Sequence, residues 1–141
     1  MAIRAPNIMS ICAGIGCLDL GIRLACPESR SVCFIERESC AAATLVARME
    51  DETMDQAPVW DDLSTFDGRP WRGVVDIIAA GLPCQPYSVA GKQAGNADER
   101  AIWPEFIRVV GEVRPAVVFL ENVPAFVTAG HFRPAGEELC R

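Results

Sequence analysis

The chain has 141 residues, half of them apolar and 23% charged, with a formal net charge of −6. That composition supports one globular domain with a real core and excludes a disordered or fibrous chain. No apolar stretch is long enough to span a bilayer, the amino terminus lacks a secretory pattern, and the acidic balance argues against gripping duplex DNA by charge alone. A cytoplasmic protein is expected.

Short apolar runs alternate with helix-like stretches along the chain. Asn7–Cys12 reads as a first strand, followed by a glycine-bearing turn and a helix over Leu18–Ala25 that Pro27 and Ser29 close. Ser31–Glu36 reads as a second strand, and the alanine-rich Ser39–Glu50 as a helix. A polar stretch, Asp51–Pro58, leads into a short Val59–Leu63 segment. Val74–Ala80 is a continuous apolar run of the kind buried on both faces of a parallel sheet. The loop Gly81–Asp98 follows, then a helical pattern over Glu99–Val113, a last clear strand at Ala116–Glu121, and a helix-like Pro134–Arg141. The alternation predicts an α/β fold with a doubly wound, mostly parallel, Rossmann-like sheet. Ligands of such sheets gather at the carboxyl ends of the strands, and the distinctive residues fall in the loops there.

Seven cysteines stand at 12, 17, 26, 33, 40, 84 and 140, with no Cys-x-x-Cys pair and one histidine, His131. A zinc or thioredoxin-like site is not expected, and no other metal site is proposed. Most of these thiols sit among Ala, Val, Ile and Leu, where cysteine acts as a small buried hydrophobe.

Ala13-Gly14-Ile15-Gly16-Cys17 joins a strand to a helix, letting the backbone turn tightly and approach a ligand. Glu36, at the end of the second strand, is placed to accept from ribose hydroxyls or is a solvated strand end. Leu18 and Asp19 after Cys17 break the Gly-x-Gly-x-x-Gly pattern, which favours an adenosine ligand other than a dinucleotide. In Gly81-Leu82-Pro83-Cys84-Gln85-Pro86-Tyr87-Ser88 one cysteine stands between two prolines that stiffen the loop. Cys84 is there a held nucleophile or a structural cysteine in a rigid turn. Glu121 and Asn122 end the last strand at the same edge, where a carboxyl group could serve as an acid beside Cys84.

In order, these segments resemble the motifs of the DNA cytosine-5 methyltransferase family over nearly the whole chain. Ser10–Gly21 resembles its first cofactor motif, Phe34-Ile35-Glu36 the ribose-binding acidic motif, and Asp61-Asp62-Leu63 the segment that reads adenine. Gly81–Gly91 resembles the catalytic Pro-Cys motif and Glu121-Asn122-Val123 the Glu-Asn-Val motif. Asp98-Glu99-Arg100 and Trp103-Pro104-Glu105 follow the family's habit in the helix after the catalytic loop. Cys17 stands where a glycine is usual and Leu82 where an aromatic is common; a positive φ at Cys17 would cost about 1 kcal/mol.

The resemblance implies S-adenosylmethionine as cofactor, held by Ala13, Gly14, Ile15, Gly16, Cys17 and Leu18, then by Glu36 with Arg37, Asp62 with Leu63, and Leu82 with Pro83. It implies that Cys84 attacks C6 of a cytosine flipped from double-stranded DNA while Glu121 bonds N3 and the exocyclic amine. Gln85, Ser88 and Arg100 would then contact DNA. The expected domain is an amino-terminal portion (1–141) of the catalytic domain, without the target-recognition region and carboxyl-terminal motifs. It could be completed by a complementary chain. Two other readings stay open: a non-catalytic subunit or remnant, and an unrelated Cys-dependent enzyme acting on a small nucleotide.

Overall fold

The structure, a computed structural model, describes residues 5–83 and 102–123. Five strands form one sheet: β1 (Asn7–Ile11), β2 (Arg30–Ile35), β3 (Val59–Trp60), β4 (Ile77–Gly81) and β5 (Val117–Glu121). Their order across the sheet is β3-β2-β1-β4-β5, and every adjacent pair is parallel. The sheet among the described residues is thus wholly parallel, not only mostly so. The chain reverses its direction of travel across the sheet between β1 and β4. A crevice opens at the carboxyl edge at such a switch point.

Among the described residues three α-helices cover the sheet: α1 (Cys17–Ala25), α2 (Ser39–Glu50) and α3 (Trp103–Val113). Strand residues alternate between its two faces. Met9 and Ile11 of β1, Cys33 and Ile35 of β2, and Ile78 and Ala80 of β4 pack with Phe106, Val109, Val110 and Val113 of α3. On the opposite face Phe34 packs with Leu45 and Met49 of α2 and with Met54.

Local chemistry explains most element ends. Ser29 donates both N–H and Oγ–H to the Cys26 carbonyl, closing α1 where expected. The Glu38 carboxylate accepts from Ala41 N–H at 3.0 Å and caps α2, whose bounds match the sequence pattern. Pro104 in the first turn of α3 has a φ already set for a helix. The expected start of that helix at Glu99, most of Gly81–Asp98 and the segment Pro134–Arg141 lie outside the described residues.

Two expectations are corrected. The run at 74–80 is not one strand: Val74 and Val75 both donate to the Trp71 carbonyl, closing a turn through Gly73 at φ +76, and β4 starts only at Ile77. Val59–Leu63 likewise splits, into a two-residue strand and a 3-10 turn at Leu63–Thr65. A second 3-10 turn, Arg69–Trp71, had no clear signal in the apolar pattern.

Candidate functional site

The turn after β1 contains three left-handed residues: Cys12 (φ 50), Gly14 (φ 54) and Gly16 (φ 82). Cys17 is already helical, so the backbone cost expected there falls on Cys12 instead. The two glycines serve different ends. A Cβ on Gly16 would meet the Cε of Met54, the flexible end of that side chain, so it is chiefly the left-handed backbone at φ 82 that calls for glycine there. A Cβ on Gly14 would meet nothing within 4 Å, so its open side is the one a ligand can approach. Ile15 is exposed and Leu18 half-buried beside it.

Glu36 is not a solvated strand end. It is 9% exposed, and its oxygens accept the N–H groups of Gly14 and Glu38, each at 2.7 Å. With Ala13 N–H donating to the Ile35 carbonyl, this stitches the glycine turn to the end of β2. Each carboxylate oxygen retains a second lone pair for an outside donor.

Beyond β3, Asp62 caps the 3-10 turn: its Oδ1 accepts both Ser64 N–H (2.9 Å) and Ser64 Oγ–H (2.7 Å). Those bonds, aided by the nearby Arg37 charge, hold its carboxyl below the usual range, so it is an ionised acceptor at neutral pH. Trp60 Nε1 donates to the Asp62 carbonyl and to Thr65 Oγ1, fixing the same turn, and Leu63 is buried beneath it.

At the other end of the edge, β4 and β5 finish together, with Gly81 opposite Glu121 in the register. A Cβ at Gly81 would lie 3.6 Å from the Cys12 carbonyl oxygen, 3.8 Å from Leu18 Cδ1 and 4.0 Å from Glu121 Oε2. The glycine turn, α1 and the Glu121 carboxylate thus converge on one spot beside Gly81. Asn122 Nδ2 donates to the Leu82 carbonyl at 3.2 Å, tying the loop after β5 to the loop after β4. Leu82 is buried and Pro83 exposed. Cys84, Gln85, Ser88 and Arg100 lie outside the described residues.

Glu36 and Glu121 thus stand at the same edge, three strand spacings or about 14 Å apart. That span suits an elongated ligand with a nucleoside at the β2–β3 end and a reacting group at the β4–β5 end. The residues fit an adenosine-bearing sulfonium: a carboxylate with lone pairs to spare at Glu36, an ionised acceptor beside an aromatic turn at Asp62, and open space at Gly14. Among the described residues no group of His, Cys, Asp or Glu is arranged to hold a metal ion. Nor is any described helix long and apolar enough to cross a membrane.

The other cysteines divide. Cys33 is buried, Cys12 and Cys26 are half-buried, but Cys17 and Cys40 are exposed, contrary to the expectation of buried thiols. Burial, reinforced by Glu36, pushes Cys12 up to about 12; burial does the same for Cys33. Both are unreactive thiols at neutral pH.

Sequence reasoning missed Asp19. It is 4% exposed and accepts from Ser10 Oγ–H and Ser31 Oγ–H, both at 2.7 Å, pinning α1 to β1 and β2. The available signal was a serine inside each of two apolar strands and one carboxylate inside an apolar helix.

The sheet order and edge loops define a Rossmann-like fold of the S-adenosylmethionine-dependent methyltransferase type. A DNMT2 mutant from Spodoptera frugiperda superposes with a TM-score of 0.66 at 16% identity, covering 96% of this chain and 39% of that one. A tRNA (uracil-54, C5)-methyltransferase from Pyrococcus abyssi, solved with S-adenosyl-L-homocysteine, gives 0.58 at 16% identity over 90% of this chain and 27% of that one. Residues 6–134 match the C-5 cytosine-specific DNA methylase family, and the chain belongs to that family. The Type II methyltransferase M.NgoMIV of Neisseria gonorrhoeae is 39% identical over 82% of this chain and 35% of its own length. M.PspPI of Psychrobacter sp. (strain TA137) is 36% identical over 85% of this chain and 28% of its own. The chain thus spans about a third of the length of these curated relatives.

Proposed function

We propose that this chain carries the cofactor side and the nucleophile of an enzyme that methylates C5 of cytosine in DNA. The observation that carries the reading is the convergence of the glycine turn, Gly81 and Glu121 at the carboxyl edge, with Asn122 tying Leu82, two residues before Cys84, to the Glu121 loop. Bound S-adenosylmethionine supplies the methyl group as an electrophile. Glu36 receives the ribose hydroxyls and Asp62 the adenine amine, while the open side of Gly14 admits the ligand beside the backbone.

On this reading the Cys84 thiolate adds to C6 of a cytosine flipped out of the duplex, making C5 electron-rich. The Glu121 carboxyl group bonds N3 and the exocyclic amine and stabilises that adduct. Gln85, Ser88 and Arg100 contact the DNA around the flipped base, and Arg37, Leu82 and Pro83 line the cofactor. A cytoplasmic setting and a complementary chain bearing further DNA contacts belong to the same proposal.

The test is a duplex carrying 5-fluorocytosine, whose fluorine cannot leave as a proton and so traps the adduct. With S-adenosylmethionine present, mass spectrometry should find the duplex bound to Cys84, and Cys84→Ser should yield no adduct. Trapping on another residue, or on Cys84→Ser, would refute the assignment.

A second reading, a chain that binds cofactor without methylating DNA, is favoured by the net charge of −6. It predicts calorimetric binding of S-adenosylmethionine with no adduct.

A further inference from the structure

The turn that presents Asp62 is also braced from outside by one residue of another element. Arg108 lies in the middle of α3, some forty residues away in sequence, and its guanidinium faces the 3-10 turn. Its Nη2 donates to the carbonyls of Leu63 (2.8 Å) and Ser64 (3.3 Å), and its Nη1 donates to the carbonyl of Phe66 (2.9 Å). The remaining donors meet two carboxylates of the same helix: Nε bonds Glu105 at 2.8 Å and Nη1 bonds Glu112 at 3.1 Å. Glu112 in turn accepts from Gly68 N–H at 2.8 Å. A Cβ on Gly68 would sit 3.0 Å from Glu112 Cβ and from Val113 Cγ2, so this backbone lies directly on α3.

The Arg108–Glu105 pair is 34% and 40% exposed, and such pairs add at most about 1 kcal/mol. What the guanidinium supplies is geometry: a planar fork with fixed donors meets three carbonyls of an irregular turn at once. Those carbonyls belong to residues within four positions after Asp62. Two glutamates of α3 hold the fork itself in place.

We propose that Arg108 is the positioning residue for the adenine end of the cofactor site, holding the turn after β3 so that Asp62 faces the amine of the bound nucleoside. This rests on the reading of Asp62 given above. Its Oδ1 is occupied by Ser64, so Oδ2 is the oxygen left to accept an outside N–H. Its direction is set by the turn Arg108 holds. The consequence is selectivity: loosening the turn weakens ligands that carry the adenine amine more than a ligand that lacks it.

The experiment compares S-adenosylhomocysteine with S-inosylhomocysteine, in which an oxygen replaces that amine, by calorimetry on the 141-residue chain. The parent should prefer the adenosyl ligand by about tenfold or more. Arg108→Lys and Arg108→Gln should cut that preference to about threefold or less, with the inosyl affinity changed less than about twofold. Hydrogen exchange should quicken at residues 62–68 and not in β1. Should Arg108→Gln fail to fold, Glu112→Gln, which keeps Arg108 but loosens its seat, should give a smaller loss of preference.

Variants that keep the full preference while Asp62→Asn abolishes it would overturn the role of Arg108 and leave Asp62 standing. Equal weakening of both ligands would make Arg108 merely structural and equally overturn it. A parent without preference or binding, or an Asp62→Asn chain that retains it, would remove the reading of Asp62 and this inference with it.

Discussion

Asp19 is a carboxylate closed off from water at the junction of α1, β1 and β2, and it sets two expectations. Asp19→Ala leaves the Ser10 and Ser31 hydroxyls without their acceptor in a buried place, which should cost about 2–4 kcal/mol in urea melts. The second concerns pH. Burial pushes Asp19 above its ordinary value of 3.8, against the pull of the two serine hydroxyls. The folded state therefore holds its proton more tightly than the unfolded chain does. The stability this group contributes is fully present below the unfolded value and is lost as pH rises through the raised folded one. Asp19→Asn removes that decline, so the parent should lose stability relative to the variant across successive melts from about pH 4 upward. Arg114 presents a simpler case. It ends α3 at φ 54, where glycine is the unstrained choice. Arg114→Gly should raise stability by about 1 kcal/mol, read as an upward shift in melting temperature.

The turn after β1 separates two glycines that look alike in the sequence. Gly16→Ala introduces a Cβ at φ 82 and pushes the end of the Met54 side chain aside, for a loss of about 1–2 kcal/mol. In a Met54→Ala background only the backbone term remains. The double-mutant cycle should show about 1 kcal/mol of coupling. Gly14→Ala should cost only about 1 kcal/mol of stability, because no atom opposes its Cβ. On the proposed function it should weaken S-adenosylmethionine binding by about tenfold, measured by calorimetry. The element types around this turn were legible because apolar run length and punctuation report directly on burial and capping. Ser39–Glu50 was read to the residue, since its alanines are a local signal. The split of Val74–Ala80 was not, because Gly73 and the Trp71 carbonyl decide it and hydrophobicity does not register a turn. Glu36 was placed correctly at a strand end, but its bonds to Gly14 and Glu38 depend on a neighbouring loop. Arg108 stayed unmarked because its partners lie about forty residues away, and no local pattern links a helix arginine to a turn's carbonyls.

Across the sheet, the strand order was beyond the reach of periodicity, because the pairing of β1 with β4 joins segments nearly seventy residues apart. Once that order is known, the described parts of the scattered motifs fall on one edge. β5 is the outer strand on its side among those described, and Val117 and Phe119 on one of its faces are 50% and 52% exposed. An outer strand with exposed apolar side chains favours self-association. Phe119→Lys should reduce the weight-average mass seen by sedimentation at high concentration. Its effect on stability should stay within about 0.5 kcal/mol, since the site is half in water.

The pairing of β1 has a consequence for how the chain is made. β1 is the central strand, yet one of its neighbours, β4, begins only at Ile77. During synthesis β1, α1, β2, α2 and β3 emerge first and can already dock, because their contacts close short loops. Until β4 follows, one whole side of β1 carries open backbone groups, with Asn7 still awaiting the Asp76 carboxylate that its N–H will reach at 2.8 Å. Such late long-range parallel pairing folds slowly and leaves a sticky nascent intermediate. Slowing translation once β3 has left the ribosome but before β4 has emerged should therefore lower soluble yield, whereas the same pause after β4 has emerged should not.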